Sequence, residues 1–205
     1  NTVVNIGKQG LTTPYTVATD INGNEQTGTG ILALSNVGPV TFGAGYFNNT
    51  NLNKSTEVNY TLGLDTTTLG GGVGPFVPAS AGVINGGADM YVATVQGDLD
   101  FVKLEAWYAG MQNTFGSYTL AATSNLDLAE NAKIGLEARY VYLKLTNDAR
   151  TGISTGINKQ GGLENPNGGA NIMTTADSFE SKNDMFRFAV DGKFSIVNAR
   201  LAYTK

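Results

Sequence analysis

Residues 101–110, FVKLEAWYAG, change chemistry with a period of two. Val102, Leu104, Ala106 and Tyr108 fall on one side of an extended strand, and Lys103, Glu105 and Trp107 on the other. Successive side chains of a strand point to opposite faces, so this segment has one apolar face and one charged face. Tyr108 closes the apolar series, where a lipid-facing strand meets headgroups.

The alternation recurs along the chain. Residues 40–46 group Val40, Phe42, Ala44 and Tyr46, residues 88–96 group Tyr91, Ala93 and Val95, and residues 116–123 group Tyr118, Leu120 and Ala122. The longest run, 133–145, sets Ile134, Leu136, Ala138, Tyr140 and Tyr142 against Lys133, Gly135, Glu137 and Arg139. In 184–190, Phe186, Phe188 and Val190 oppose Arg187. In 196–204, Val197, Ala199, Leu201 and Tyr203 oppose Asn198 and Arg200. With the apolar runs at 2–9 and 30–36, the pattern predicts about nine strands and an all-β, antiparallel fold.

The connections are ordered too. Short turns at Val37-Gly38-Pro39, residues 97–100, residues 125–132 and Asp191-Gly192-Lys193 follow even-numbered strands. Residues 10–29, 47–87, 111–115 and 146–183 follow odd-numbered strands, and all but 111–115 are long and polar. An extra strand is expected within 47–87, at 57–64. Short turns on one rim and long loops on the other is the arrangement of a transmembrane β-barrel. A soluble β-sandwich also alternates, but it needs neither segregated connections nor tyrosines at strand ends.

Composition narrows the chemistry. The 205 residues contain no His and no Cys, which removes thiol catalysis, disulfides, thiolate zinc sites and imidazole acid–base catalysis. The formal charge of −4 argues against nucleic acid as the main partner. Mean hydropathy is −0.11, and no apolar run approaches the ~18 residues of a membrane helix. The 27 glycines suit turns between strands. No convergent acid pair stands out, so an enzyme is not expected. The chain starts in one strand and stops in another, with no secretory leader at its start, so a section of a longer barrel is expected.

Val3 to Leu11 (VVNIGKQGL), then Gly28 to Phe47 (GTGILALSNVGPVTFGAGYF), resemble the bacterial porins, and most closely the campylobacter-type major outer membrane proteins. The stretches ADMYVATVQGDLDF (88–101) and IGLEARYVYL (134–143) fit the same layout of strand and turn. The resemblance implies an outer-membrane barrel of 16–18 strands, assembled as a trimer, so about twice this chain is needed to close it. It implies that the strand ending in Gly7-Lys8-Gln9 leads into a loop that folds into the pore. The C-terminal Tyr203-Thr204-Lys205 departs from the aromatic ending usual in such proteins.

On this reading the function is general diffusion of small hydrophilic solutes and ions, with weak cation preference expected from the acidic balance. Residues 10–29 are the expected constriction loop, carrying Asp20 and Glu25. Lys103, Glu105, Lys133, Glu137, Arg139, Arg187 and Arg200 are expected to project from the wall into the lumen. Lys8 is ambiguous, because a bulge at Gly7 would switch its side. Asp20, Asn22, Asn24 and Glu25 have the oxygen-ligand spacing that opens a calcium loop, and some of the porins the chain resembles hold Ca²⁺ in the pore. Glu25 and Ile31 break the EF-hand pattern, so an Asn-Gly turn is the plainer expectation, and no cofactor is required. An alternative function is a surface adhesin or receptor acting through loops 47–87 and 146–183. Leu69-Gly-Gly-Gly-Val-Gly74 has no following Lys and is not a phosphate loop, and Asn59-Tyr60-Thr61 is a chance-level glycosylation match.

Overall fold

The computed structural model describes residues 1–11, 13, 14, 16–19, 23, 25–52, 87–159 and 161–205. Nine strands form one sheet: β1 (Thr2–Gly10), β2 (Thr27–Val37), β3 (Val40–Thr50), β4 (Met90–Leu99), β5 (Val102–Met111), β6 (Phe115–Ala129), β7 (Ala132–Leu145), β8 (Lys182–Phe194) and β9 (Val197–Thr204). Each pairs antiparallel with the next in sequence, so the sheet is a meander with β1 and β9 at its edges.

The register shows why the alternation was so regular. Ala44, Ala93, Tyr108, Tyr118 and Tyr142 lie in one cross-strand row. The rings of Tyr108 and Tyr118 are 5.2 Å apart, those of Tyr118 and Tyr142 6.3 Å, and Tyr46 pairs with Tyr91 at 5.4 Å. These tyrosines form a belt near the rim of long connections, on the face opposite the buried cluster, hereafter the outward face. Below them the same face carries exposed Val95, Leu104, Leu120, Phe186, Phe188 and Leu201. A face of this kind is stable only against hydrocarbon or another apolar surface.

The inward face is different at its two ends. Near the long-connection rim, Met90, Val92, Met111 and Leu145 are buried together with Leu11, Phe47 and Leu52. They are covered partly by a helix that the polar composition of 146–183 had concealed. This helix, α1 (Asn147–Lys159), places Ala149, Ile153 and Ile157 on one stripe against the cluster. A 3₁₀ turn, Ala176–Ser178, follows before β8. The connection is therefore not a plain loop.

Three expected turns are also corrected. Residues 125–129 continue β6 and residues 191–193 continue β8. The chain reverses instead at Glu130-Asn131 and at Ser195-Ile196, where Ser195 takes φ 53°. β4 runs on to Leu99, so the next reversal falls at Asp100-Phe101 rather than 97–100. Gly7 has φ 115°, but the β1–β2 pairing stays in register through it. The irregularity lies at Thr29/Gly30 in the β2–β3 pairing. The expected strand at 57–64 lies outside the described residues.

Gly30 occupies that irregularity. A Cβ there would overlap the Tyr46 carbonyl oxygen and crowd the Phe47 backbone. Backbone cannot yield as a side chain can, so Gly30→Ala is expected to cost about 1–3 kcal/mol. Urea unfolding of the refolded protein measures it, with Gly10→Ala as control because no atom lies within 4 Å of its Cβ.

Candidate functional site

Away from the apolar cluster, the inward face is charged. Alternation and register place Lys103, Lys133, Arg139, Arg187, Lys193 and Arg200 on it, with Asp98, Glu105, Asp127, Glu137 and Asp191. Among the outward positions of β4–β8, charge is confined to Lys144, Lys182 and Asp184 at the rim. The strands thus sort charge from apolar surface almost completely.

Glu137 is the hub. Its Oε1 lies 3.4 Å from Arg139 Nε and 3.9 Å from Arg187 Nη1, and its Oε2 accepts a hydrogen bond from Arg200 Nη2 at 3.4 Å. Arg139 and Arg187 sit directly opposite each other across β7 and β8. Like charges in that position repel, and the carboxylate between them offsets the cost. Arg200 also reaches Asp191, Nε to Oδ1 3.5 Å. Asp191 was expected in a turn; the extra length of β8 is what brings it to Arg200. Lys133 pairs with Asp127 at 3.0 Å and Lys103 with Glu105 at 3.4 Å. These groups are partly solvated, so each pair is worth little in stability. Together they set an electrostatic field across the face.

The connection between β1 and β2 is tied down at its base. Leu11 N–H donates to the Gln26 carbonyl (2.9 Å), and Val17 N–H donates to Gln26 Oε1 (2.8 Å). Asn51 brackets the other side: its Nδ2 donates to the Glu25 carbonyl, and its Oδ1 accepts from Thr27 N–H. Thr13 and Pro14 then line a cavity of about 210 Å³ with Glu105, Trp107, Thr119, Ala121 and Arg139. Ala121 stands between Glu105 and Arg139 in the same cross-strand row, so an opposed carboxylate and guanidinium flank a shallow floor. The alternation alone gives Trp107 no role; its place beside Glu105 on the charged face is the available signal. Asp20, Asn22 and Asn24 lie outside the described residues. Glu25 is exposed and bridges Thr19 through the backbone.

Helix α1 is latched from the other side. Thr146 caps it, its hydroxyl accepting from Ala149 N–H at 3.1 Å. Arg150 Nη1 donates to the Ala176 and Phe179 carbonyls, both at 3.3 Å, and approaches Asp177 at 3.6 Å. Ser154 Oγ and Asn158 Nδ2 both donate to the Thr174 carbonyl, at 2.7 and 2.8 Å, while Thr174 N–H donates to Asn158 Oδ1 at 2.8 Å. Asn158→Ala leaves the Thr174 N–H unpaired, with an expected local cost of about 1–3 kcal/mol. Hydrogen exchange should show faster exchange in α1 and residues 172–176, with β5–β7 unchanged.

No family model and no curated protein matches the chain. Solved structures do. The outer membrane protein OprD from Pseudomonas aeruginosa superposes with a TM-score of 0.62 at 16% identity, over all of this chain and 39% of that one. The fold is that of the outer-membrane porins. OccK2 (OpdF) of the same organism, crystallised with glucuronate, matches at TM-score 0.62 and 12% identity, over 100% of this chain and 45% of that one. OpdK with vanillate matches at 0.61 and 12%, over 100% and 43%. The chain thus spans less than half the length of these porins. In transmembrane β-barrels generally, the polar face of the strands is the one turned from lipid.

Proposed function

We propose that this chain forms part of the wall of an outer-membrane channel that passes small hydrophilic solutes and ions by diffusion. The observation that carries the proposal is the segregation of charge: the inward face of β4–β8 bears an ionic network beneath Thr13 and Pro14, while the outward face is apolar up to a tyrosine belt. Water and ions belong on the first, lipid on the second. Nothing in this arrangement calls for covalent chemistry.

The open edges of β1 and β9 carry unpaired backbone groups, which hydrocarbon does not tolerate. In the working channel further strands close the sheet, and by resemblance to campylobacter-type major outer membrane proteins three barrels associate. The connection between β1 and β2 would narrow the lumen, and Asp20 and Glu25 would add negative charge to it. Basic and acidic inward groups nearly balance, so ion preference is weak. Its direction depends on the loop acids, which favour cations; Ca²⁺ held by Asp20, Asn22, Asn24 and Glu25 would reduce that preference.

Liposome swelling tests the proposal with the full-length protein. Glucuronate and vanillate, the ligands of two structural neighbours, are the first solutes to try. Swelling with both and with a neutral monosaccharide supports a diffusion pore; no swelling from folded, inserted protein contradicts it. Asp20→Asn with Glu25→Gln should shift the preference toward anions.

A second reading, a surface receptor or adhesin acting through the long connections, is favoured by exposed Leu163, Ile172 and Met173 beyond α1. Removing residues 161–173 should abolish cell attachment and leave solute flux intact if that reading holds.

A further inference from the structure

Two lysines interrupt the outward face at its rim. Lys144 and Lys182 are directly opposite each other on β7 and β8, both exposed. Neither forms an ion pair among the described residues. Like charges placed face to face on a sheet are destabilising unless an anion sits between them. Among the described residues, Asp184 lies opposite Tyr142 in the tyrosine belt and Asp89 accepts a hydrogen bond from Tyr91 at the far end of the lysines' row, and neither forms an ion pair with the lysines.

The row containing these lysines continues through Gly116 and Gly110 to Tyr91 and Tyr46. The two glycines leave the backbone bare there. The Tyr108 hydroxyl leans into that space, 2.5 Å from where a Gly110 Cβ would stand and 3.9 Å from a Gly116 Cβ. Two ammonium groups and a phenol therefore share one strip just above the aromatic belt. Cations and hydroxyls at that height meet the headgroup region, and the rings below meet the first acyl carbons.

We propose that Lys144 and Lys182 bind a phosphate of an outer-leaflet lipid headgroup, with Tyr108 as an added donor and the Tyr118 and Tyr142 rings as the platform beneath it. The proposal rests on the outward face being the lipid face. It is independent of what the lumen conducts.

The test is native mass spectrometry of the full-length barrel in detergent, titrated with diphosphoryl lipid A. The probes for comparison are dephosphorylated lipid A and inorganic phosphate at matched ionic strength. The parent should retain diphosphoryl lipid A at least about tenfold more tightly than K144Q/K182Q, since each lysine near an anionic surface contributes on that scale. The inward control K133Q should bind like the parent. Dephosphorylated lipid A should bind parent and double variant alike. Equal retention of diphosphoryl lipid A by parent and K144Q/K182Q overturns the proposal. Displacement by millimolar inorganic phosphate overturns the lipid assignment in favour of a free-anion site. Heat-dependent gel mobility confirms that each variant is folded. A barrel that binds the lipid but does not conduct keeps this site and loses the channel; one that conducts without lysine-dependent binding does the reverse.

Discussion

Ala138→Arg should lower the stability of the refolded barrel by about 2–4 kcal/mol, and Ile134→Arg, nearer the turn rim, by only about 0–1 kcal/mol. Ala138 lies midway along the outward side of β7, in the row of Leu104, Ala122 and Phe188. A guanidinium there must enter the centre of the hydrocarbon or drag water to it. At Ile134 the side chain can extend toward the headgroups. Thr123→Arg tests the other face. Thr123 is half-buried opposite Lys103 and Glu137 on the charged side, where an arginine can reach water and the Glu137 carboxylate, so the cost should stay below about 1 kcal/mol. Urea titration of protein refolded in lipid vesicles measures all three. Equal cost at Ala138 and Ile134, or a larger cost at Thr123, would mean that the assignment of faces is wrong.

The second large effect is on conduction. Glu137→Gln removes the carboxylate shared by Arg139, Arg187 and Arg200 and leaves Asp191 as the remaining partner in the network. One unit of uncompensated positive charge about 5 Å from the ion path in water is worth about 0.8 kcal/mol, or about a fourfold rise in local anion concentration. The chloride-to-potassium permeability ratio should rise by that order at low salt. The change should shrink toward nothing near 1 M salt, where the Debye length is about 3 Å. Arg139→Gln with Arg187→Gln should move the ratio the opposite way. The stability change in either variant should be small, because these side chains are partly solvated.

The faces of the sheet were legible because a strand has period two, and a one-residue slip would invert every side chain. Ile134 to Tyr142 and Lys133 to Arg139 therefore declare their sides without any tertiary information. The common face of the charged residues followed directly: Lys103, Glu105, Lys133, Glu137, Arg139, Arg187 and Arg200 share one side of the sheet. Strand ends were harder. Asp191-Gly192 has the composition of a turn, yet it stays in β8, where pairing with β7 continues and Asp191 gains Arg200. The reversal falls instead on Ser195, whose turn signal is weaker than that of Asp-Gly and which takes a positive φ that favours Gly or Asn.

Helix α1 was missed for a related reason. Its segment, NDARTGISTGINK, contains two glycines and two threonines, all weak helix formers. The stripe Ala149, Ile153, Ile157 and the cap at Thr146 were present, but with only three apolar positions the polar composition outweighed them. Packing of that stripe on the cluster around Met90 and Met111, rather than propensity, holds the helix. Trp107 was seen as one more alternating position; its contact with the cavity under Pro14 depends on a loop path that no local pattern encodes.

Whether the charged face lines a water-filled pore is decided by single-channel recording of the full-length native protein in a planar bilayer under a salt gradient. Steady, ohmic conductance is expected, with a small reversal potential that Glu137→Gln moves toward anion preference. Folded, inserted protein that carries no current, or a current whose reversal potential is unmoved by Glu137→Gln, would contradict a pore lined by that face.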